Sequence, residues 1–304
     1  MKRIQPLFTA CILALLIHLP APAAAAVNIL ACEPEWGALA REVGGDKVAV
    51  TDATTALQDP HHIEARPSLI AKARSAQLVV CTGADLEIGW LPLLLRQSAN
   101  PGIQPGKPGN LEASAYVRKL EVPTRLDRAE GDIHPGGNPH IQTDPRNIAK
   151  VSVVLAQRLS VIDPSNAGYY QLRQKDFAQR WQQATQRWEM QAAPLRGVPI
   201  VVQHKAFPYL CDWLGLKEVA TLEAKPGVEP SSTHLSEVLA QLQLTPARMV
   251  IRAAYDDERA STWLSERTKI PTVVLPFTVG GGDHASDLFG LFDETLKRLL
   301  DAIK

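Results

Sequence analysis

The sequence has no surplus of either charge. Lys plus Arg number 32 and Asp plus Glu number 32, so the 304-residue chain carries a formal net charge of zero. Such a balance offers no basic surface for nucleic acid, which is not expected as a partner. No charge run or low-complexity tract stands out. Beyond the N-terminal segment no stretch is long and apolar enough to span a bilayer, which takes about 20 residues. The His-Glu-x-x-His pattern of zinc hydrolases is also missing. Cysteine is scarce, at four positions: Cys11, Cys32, Cys81 and Cys211.

What is present begins at the N-terminus. Lys2 and Arg3 precede an apolar run from Leu7 to Leu19, then Pro20, Pro22 and the small residues Ala23–Ala26. A positive start, a short apolar centre and a small-residue end predict a secretory signal peptide over residues 1–26, cleaved after Ala26. The competing reading, an uncleaved anchor, needs a longer apolar run. Cys11 lies inside that run with more apolar residues after it, which makes it a poor lipid-attachment site. The expected mature chain is exported and soluble. Export exposes cysteines to oxidising conditions, so a pair can be bonded. Cys32 and Cys81 each end a strand-like run, and neighbouring parallel strands would bring them together. Three buried free thiols are the alternative.

The mature chain reads as strands alternating with helices. Strands are predicted at Val27–Cys32, Val48–Thr51, Leu78–Cys81, Ile200–Val202, Glu218–Thr221, Met249–Ile251 and Thr272–Leu275, with helices between them. Around the middle the pattern changes. Tyr170, Phe177, Trp181, Ala184 and Trp188 recur at spacings of seven, four, three and four, one apolar face of a long helix. The predicted fold is therefore α/β: two lobes with parallel sheets flanked by helices, joined by one long rigid helix. The expected divisions are 27–163 for the first lobe, 164–195 for the connecting helix and 196–304 for the second lobe. In such sheets ligands bind outside the carboxyl ends of the strands.

Histidines fall at those ends. His204 follows the strand Ile200–Val202 almost directly, His61 sits in the turn before the helix opened by Pro67, and His140 stands just before the helix opened by Pro145. Asp283 follows the strand Thr272–Leu275 through the glycine run Gly280–Gly282. Three imidazoles and one carboxylate form a natural tetrahedral set for Zn²⁺, with the carboxylate offsetting part of the charge.

Three local motifs extend this reading. Asp59-Pro60-His61-His62-Ile63-Glu64-Ala65-Arg66-Pro67-Ser68, Asn138-Pro139-His140-Ile141-Gln142-Thr143-Asp144-Pro145-Arg146-Asn147 and Gln203-His204-Lys205-Ala206-Phe207-Pro208-Tyr209-Leu210 resemble, in order, the metal motifs of the periplasmic substrate-binding proteins of bacterial ABC metal importers, cluster A-I. The resemblance covers nearly the whole mature chain, and the long helix falls between the second and third motifs as in that family. It implies a metal held in the cleft between two lobes, a periplasmic location, a membrane permease as partner and a monomer. His61, His140 and His204 carry over as metal ligands. The family's fourth ligand is an acidic residue directly after the last strand. Here Pro276-Phe277-Thr278-Val279 stands there, which leaves Asp283 as the nearest carboxylate and Asp287, which can instead cap the last helix, as the next. Relatives that prefer manganese tend to carry glutamate where His204 stands. Three imidazoles favour zinc over the harder manganese.

The remaining histidines are assigned lesser roles. His62 is a neighbour of the ligand, His234 an ordinary helix residue, and His284 a residue that takes part only if its loop moves. His134 lies in the loop Glu130–Gly137, where relatives often have a mobile loop rich in His and acids. Its functional reading is transient zinc capture or contact with a periplasmic zinc-delivering protein, against that of a plain solvent loop. Glu229 lies on a loop that could border the cleft. Three alternatives to a zinc-binding transport component are a manganese-binding member of the same family, a surface adhesin on the same fold, and a zinc hydrolase, which needs an open coordination position and a general base.

Overall fold

A computed structural model describes residues 26–124, 131 and 134–304. Apart from Ala26, the expected signal peptide lies outside the described residues, as do Glu130, Asp132 and Ile133 of the glycine loop. Val27–Ala31 (β1), Val48–Asp52 (β2), Leu78–Cys81 (β3) and Asn110–Glu112 (β4) form one parallel sheet in the order β2-β1-β3-β4. Pro199–Val202 (β5), Lys217–Thr221 (β6), Met249–Ala253 (β7) and Thr272–Leu275 (β8) form a second in the equivalent order β6-β5-β7-β8. The inner strands are runs of Val, Ile and Leu buried on both faces, as parallel sheets covered by helices require. Each order reverses beside the sheet's first strand, and that switch point opens a crevice at the carboxyl ends.

Helices cover both sheets: Pro34–Gly44 (α1), Pro67–Ser75 (α2), Leu91–Ser98 (α3), Pro145–Ile162 (α4), Ala167–Gln191 (α5), Pro208–Leu214 (α6), Ser232–Leu244 (α7), Arg259–Thr268 (α8) and Leu288–Asp301 (α9). Six of them (α1 to α4, α6 and, through its 3₁₀ lead-in at Pro164, α5) are entered through proline, whose fixed φ suits a first turn and which has no N–H to leave unbonded. Two elements differ from the sequence reading. α3 starts at Leu91 instead of Leu86, because residues 83–90 turn through the left-handed residues Ala84 and Asp85. β4 was not expected. It is three residues long, sits at a sheet edge and follows a Pro- and Gly-rich stretch, so it carries no periodicity to read.

The long helix matches its sequence pattern. α5 has 25 residues, about 37 Å of rise, and buries Tyr170, Phe177, Trp181, Ala184 and Trp188. Its indoles tie it to both halves. Trp181 Nε1 donates to the Pro145 carbonyl at 2.8 Å, and Trp188 Nε1 donates to Asp293 Oδ1 on α9 at 2.6 Å. Trp181 also stacks edge-on against Phe289 and Phe292 of α9. Among the described residues no helix is long and apolar enough to cross a membrane.

Cys32 and Cys81 form a disulfide, with Cα atoms 4.8 Å apart. β1 and β3 are adjacent and in register, and the Cys32 N–H donates to the Val80 carbonyl, so the two side chains meet without backbone movement. Cys211 remains a free thiol, pushed up to about 12 by burial.

Beside the disulfide lies a group of buried carboxyls. Glu33, Glu35 and Glu87 are each less than 5 % exposed. Glu87 accepts from the Thr82 and Gly83 N–H groups, Glu33 accepts from Thr82 Oγ1, and Glu35 accepts from Thr278 Oγ1 in the other half of the chain. Burial raises all three: Glu35 and Glu87 to about 7, and Glu33 well above the ordinary range. A carboxyl whose folded pKa is raised contributes stability that is present below its unfolded value and lost as pH climbs through the folded one. In buffers stripped of divalent cations, stability should therefore fall between about pH 4.5 and about pH 7. Glu35→Gln should flatten that fall, by roughly 3 kcal/mol at most, and should be relatively more stable than the parent at pH 8. Denaturant unfolding at pH 5 and pH 8 checks this. An unchanged pH slope in the variant would remove Glu35 from the account.

Candidate metal centre

The three motifs converge. His61 comes from the β2–α2 connection, His140 from the segment before α4, and His204 from just after β5. Their nitrogens all lie within 4.8 Å of one another. Ring centroids are 5.3 Å apart for His61–His140, 5.7 Å for His61–His204 and 5.6 Å for His140–His204, each pair nearly edge-on. Three imidazoles thus surround one point.

Carboxylates orient two of the rings. Asp59 Oδ1 lies 2.7 Å from His61 Nδ1, and Glu223 Oε2 lies 2.7 Å from His204 Nδ1. An ionised carboxylate only accepts, so Nδ1 carries the hydrogen and Nε2 presents its lone pair. This is the arrangement that fixes the tautomer of metal-ligating histidines and raises their basicity. His61 Nε2 and both nitrogens of His140 are buried with no hydrogen-bond partner. Buried unsatisfied polar atoms are rare in proteins, and unpartnered nitrogens on two of the three clustered rings suit a bound cation.

The electrostatics agree. Burial, then the neighbouring histidines His61, His204 and His134, hold His140 well below the usual imidazole range, so it is neutral and its lone pair is free. Burial pulls His204 down, but the hydrogen bond and charge of Glu223, with Asp256 and Asp59 behind, carry it above its ordinary value. Burial likewise works against Asp59, yet the His61 hydrogen bond holds its carboxyl below the usual range.

His140 is fixed by its surroundings without a carboxylate. Its backbone N–H donates to Asn138 Oδ1, and Phe277 lies edge-on to its ring at 5.2 Å. Asn138 Nδ2 donates to the Lys205 carbonyl at 2.7 Å, which ties the second motif to the third across the cleft. Asp59, Glu223, Asn138 and Phe277 were not singled out by sequence reasoning. Asp59 had a signal, two residues before His61 in Asp-Pro-His. Glu223 had none, because it reaches His204 through the neighbouring strand β6.

Asp283 does not join the three histidines. It is exposed on a turn closed by the Gly280 N–H donating to the Ala285 carbonyl, and the turn is fastened to α9 by the His284 N–H donating to Glu294 Oε2. Asp287 caps α9, accepting from the Gly290 N–H at 2.7 Å. Among the described residues, negative charge sits behind the imidazoles, on Asp59, Glu223 and Asp256, and no carboxylate joins the three nitrogens. His134, by contrast, is close. Its ring lies 5.3 Å from that of His61, in the cleft that His140 and His204 also line. His62 is exposed, His234 Nε2 lies 2.9 Å from the Thr221 carbonyl, and Glu229 pairs with Arg259, so none of these enters the group.

Glu223→Gln and Asp59→Asn should each weaken metal binding about 10- to 100-fold, because the amide cannot hold the same tautomer as firmly. Competition against a chromogenic chelator reads this. Parental affinity in both variants would mean the carboxylates only fill space.

The chain is similar to known proteins over most of its length. The chain is 23 % identical over 250 residues to the high-affinity zinc uptake system protein ZnuA of Bacillus subtilis, covering 81 % of this chain and 76 % of that one. It is 21 % identical over 274 residues to the manganese ABC transporter substrate-binding lipoprotein PsaA of Streptococcus pneumoniae, covering 87 % and 85 %. A crystal structure of ZnuA superposes with a TM-score of 0.75 at 20 % identity, over 92 % of this chain and all of that one. The family described as ZnuA, zinc-uptake complex component A, periplasmic, matches residues 29–302, and the chain belongs to that family.

Proposed function

We propose that this protein captures Zn²⁺ outside the cytoplasmic membrane and delivers it to the permease of an ABC importer. The observation that carries the reading is the cluster of three buried imidazoles, His61, His140 and His204, two of them oriented by carboxylates. All-nitrogen donors suit zinc, whereas manganese prefers oxygen. Family relatives include proteins named for zinc and others named for manganese, so the donor set argues the metal. We assign His61, His140 and His204 as its ligands. The rings come from loops on both sheets, so a bound ion draws on both lobes, and release requires them to part. His134 stands at the mouth of the site, where it can meet an ion arriving from solvent or from a delivering protein. The working unit is a binding protein, and its permease is its membrane partner.

A cellular experiment tests the transport role. A strain lacking this chain should grow poorly in chelator-treated medium and recover with added zinc but not manganese. Recovery with manganese alone would move the protein to the other branch of the family.

A further inference from the structure

A small cavity lies between the two lobes, beside the histidine cluster but lined by none of its three histidines. Glu33, Glu35 and Thr54 line it from the first half, and Tyr255 and Thr278 from the second, with Gln142 between them. Three of these carry a buried polar atom with no hydrogen-bond partner: Glu33 Oε1, Gln142 Oε1 and the Tyr255 hydroxyl. Gln142 is only 2 % exposed. Among the described residues no Lys, Arg or His lines the space. The three unpartnered atoms, contributed from both lobes, are all oxygens, on a small cavity that Leu86 and Phe277 also line.

We propose that this cavity binds a single hard divalent cation of the calcium class, held by Glu33, Glu35, Gln142 and Tyr255 across the lobe interface. Two carboxylates balance a charge of +2. A carboxylate, an amide oxygen and hydroxyls are the ligands Ca²⁺ accepts in loose geometry, while Mg²⁺ demands a near-ideal octahedron. An oxygen-only set is the opposite of the histidine cluster, so zinc and calcium sort to different sites. Binding displaces whatever protons Glu33 and Glu35 hold, which raises cation affinity with pH. Because the ligands come from both lobes, occupancy ties together the halves that Glu35 and Thr278 already bridge.

The experiment uses the full-length mature protein loaded with zinc, which keeps the histidine site filled. Thermal unfolding at about pH 8 is followed with CaCl₂, MgCl₂ or NaCl at matched ionic strength, alongside equilibrium dialysis with radioactive calcium. The expected result is one calcium per chain and a rise in Tm of about 5 °C at saturation, smaller with magnesium. Glu33→Gln and Gln142→Leu should each abolish both. Glu33→Gln keeps the size and polarity of a buried side chain whose charged form burial disfavours, so a folded variant is available. No calcium retained by the parent, or a Tm rise that persists in both variants, would overturn the site.

Discussion

His140→Ala should lower zinc affinity by more than about 100-fold, beyond what loss of an orienting carboxylate costs. The ring is 1 % exposed, both its nitrogens are buried without partners, and burial with its neighbours keeps it neutral. Removing it leaves two imidazoles and a gap that Phe277 lines but cannot ligate through. His204→Ala should cost a similar amount. His134→Ala should cost much less, since its ring lies outside the group of three nitrogens and flanks His61. Asp283→Ala, on an exposed turn, should bind zinc like the parent. Competition titration against a calibrated chelator ranks the four. A loss from Asp283→Ala matching that from His140→Ala would return the carboxylate to the metal and refute the present assignment.

Loss of the disulfide should be the largest change in stability. Cys32 and Cys81 are 49 residues apart, and the chain-entropy estimate for a loop of that size is about 4 kcal/mol. Both sulfurs are buried under Leu30, Val79 and Trp90, so nothing in solvent replaces the bond. Replacing both cysteines by serine should lower Tm by about 10 °C, and add two buried hydroxyls to a tight core. Reduction of the parent under denaturing conditions should give the same shift without the substitution. A change below about 1 kcal/mol in both would mean the unfolded chain is already held compact near these strands.

How much of this was legible depends on the scale of the interaction. The alternation of strands and helices, and the aromatic face of α5, are local patterns, and each survives in the structure. The three histidines were legible because each sits in a short motif next to a strand end or a proline-led helix. Asp283 was inferred from chain order alone, and order does not reveal that Glu294 and the Gly280–Ala285 turn hold it on its own side. Glu223 is the converse. It lies 19 residues from His204 and reaches it only because β5 and β6 pair in parallel. The buried carboxyls were equally hidden, since Glu33 and Glu35 flank a helix start where acids are usually solvated.

The central claim is that this site selects zinc through three imidazoles. Native mass spectrometry of the mature protein, stripped of metal and offered equal zinc and manganese, tests it most directly. The account predicts one zinc per chain, no retained manganese, and loss of that zinc in His140→Ala. Retention of manganese in place of zinc, or undiminished zinc in the variant, would contradict it.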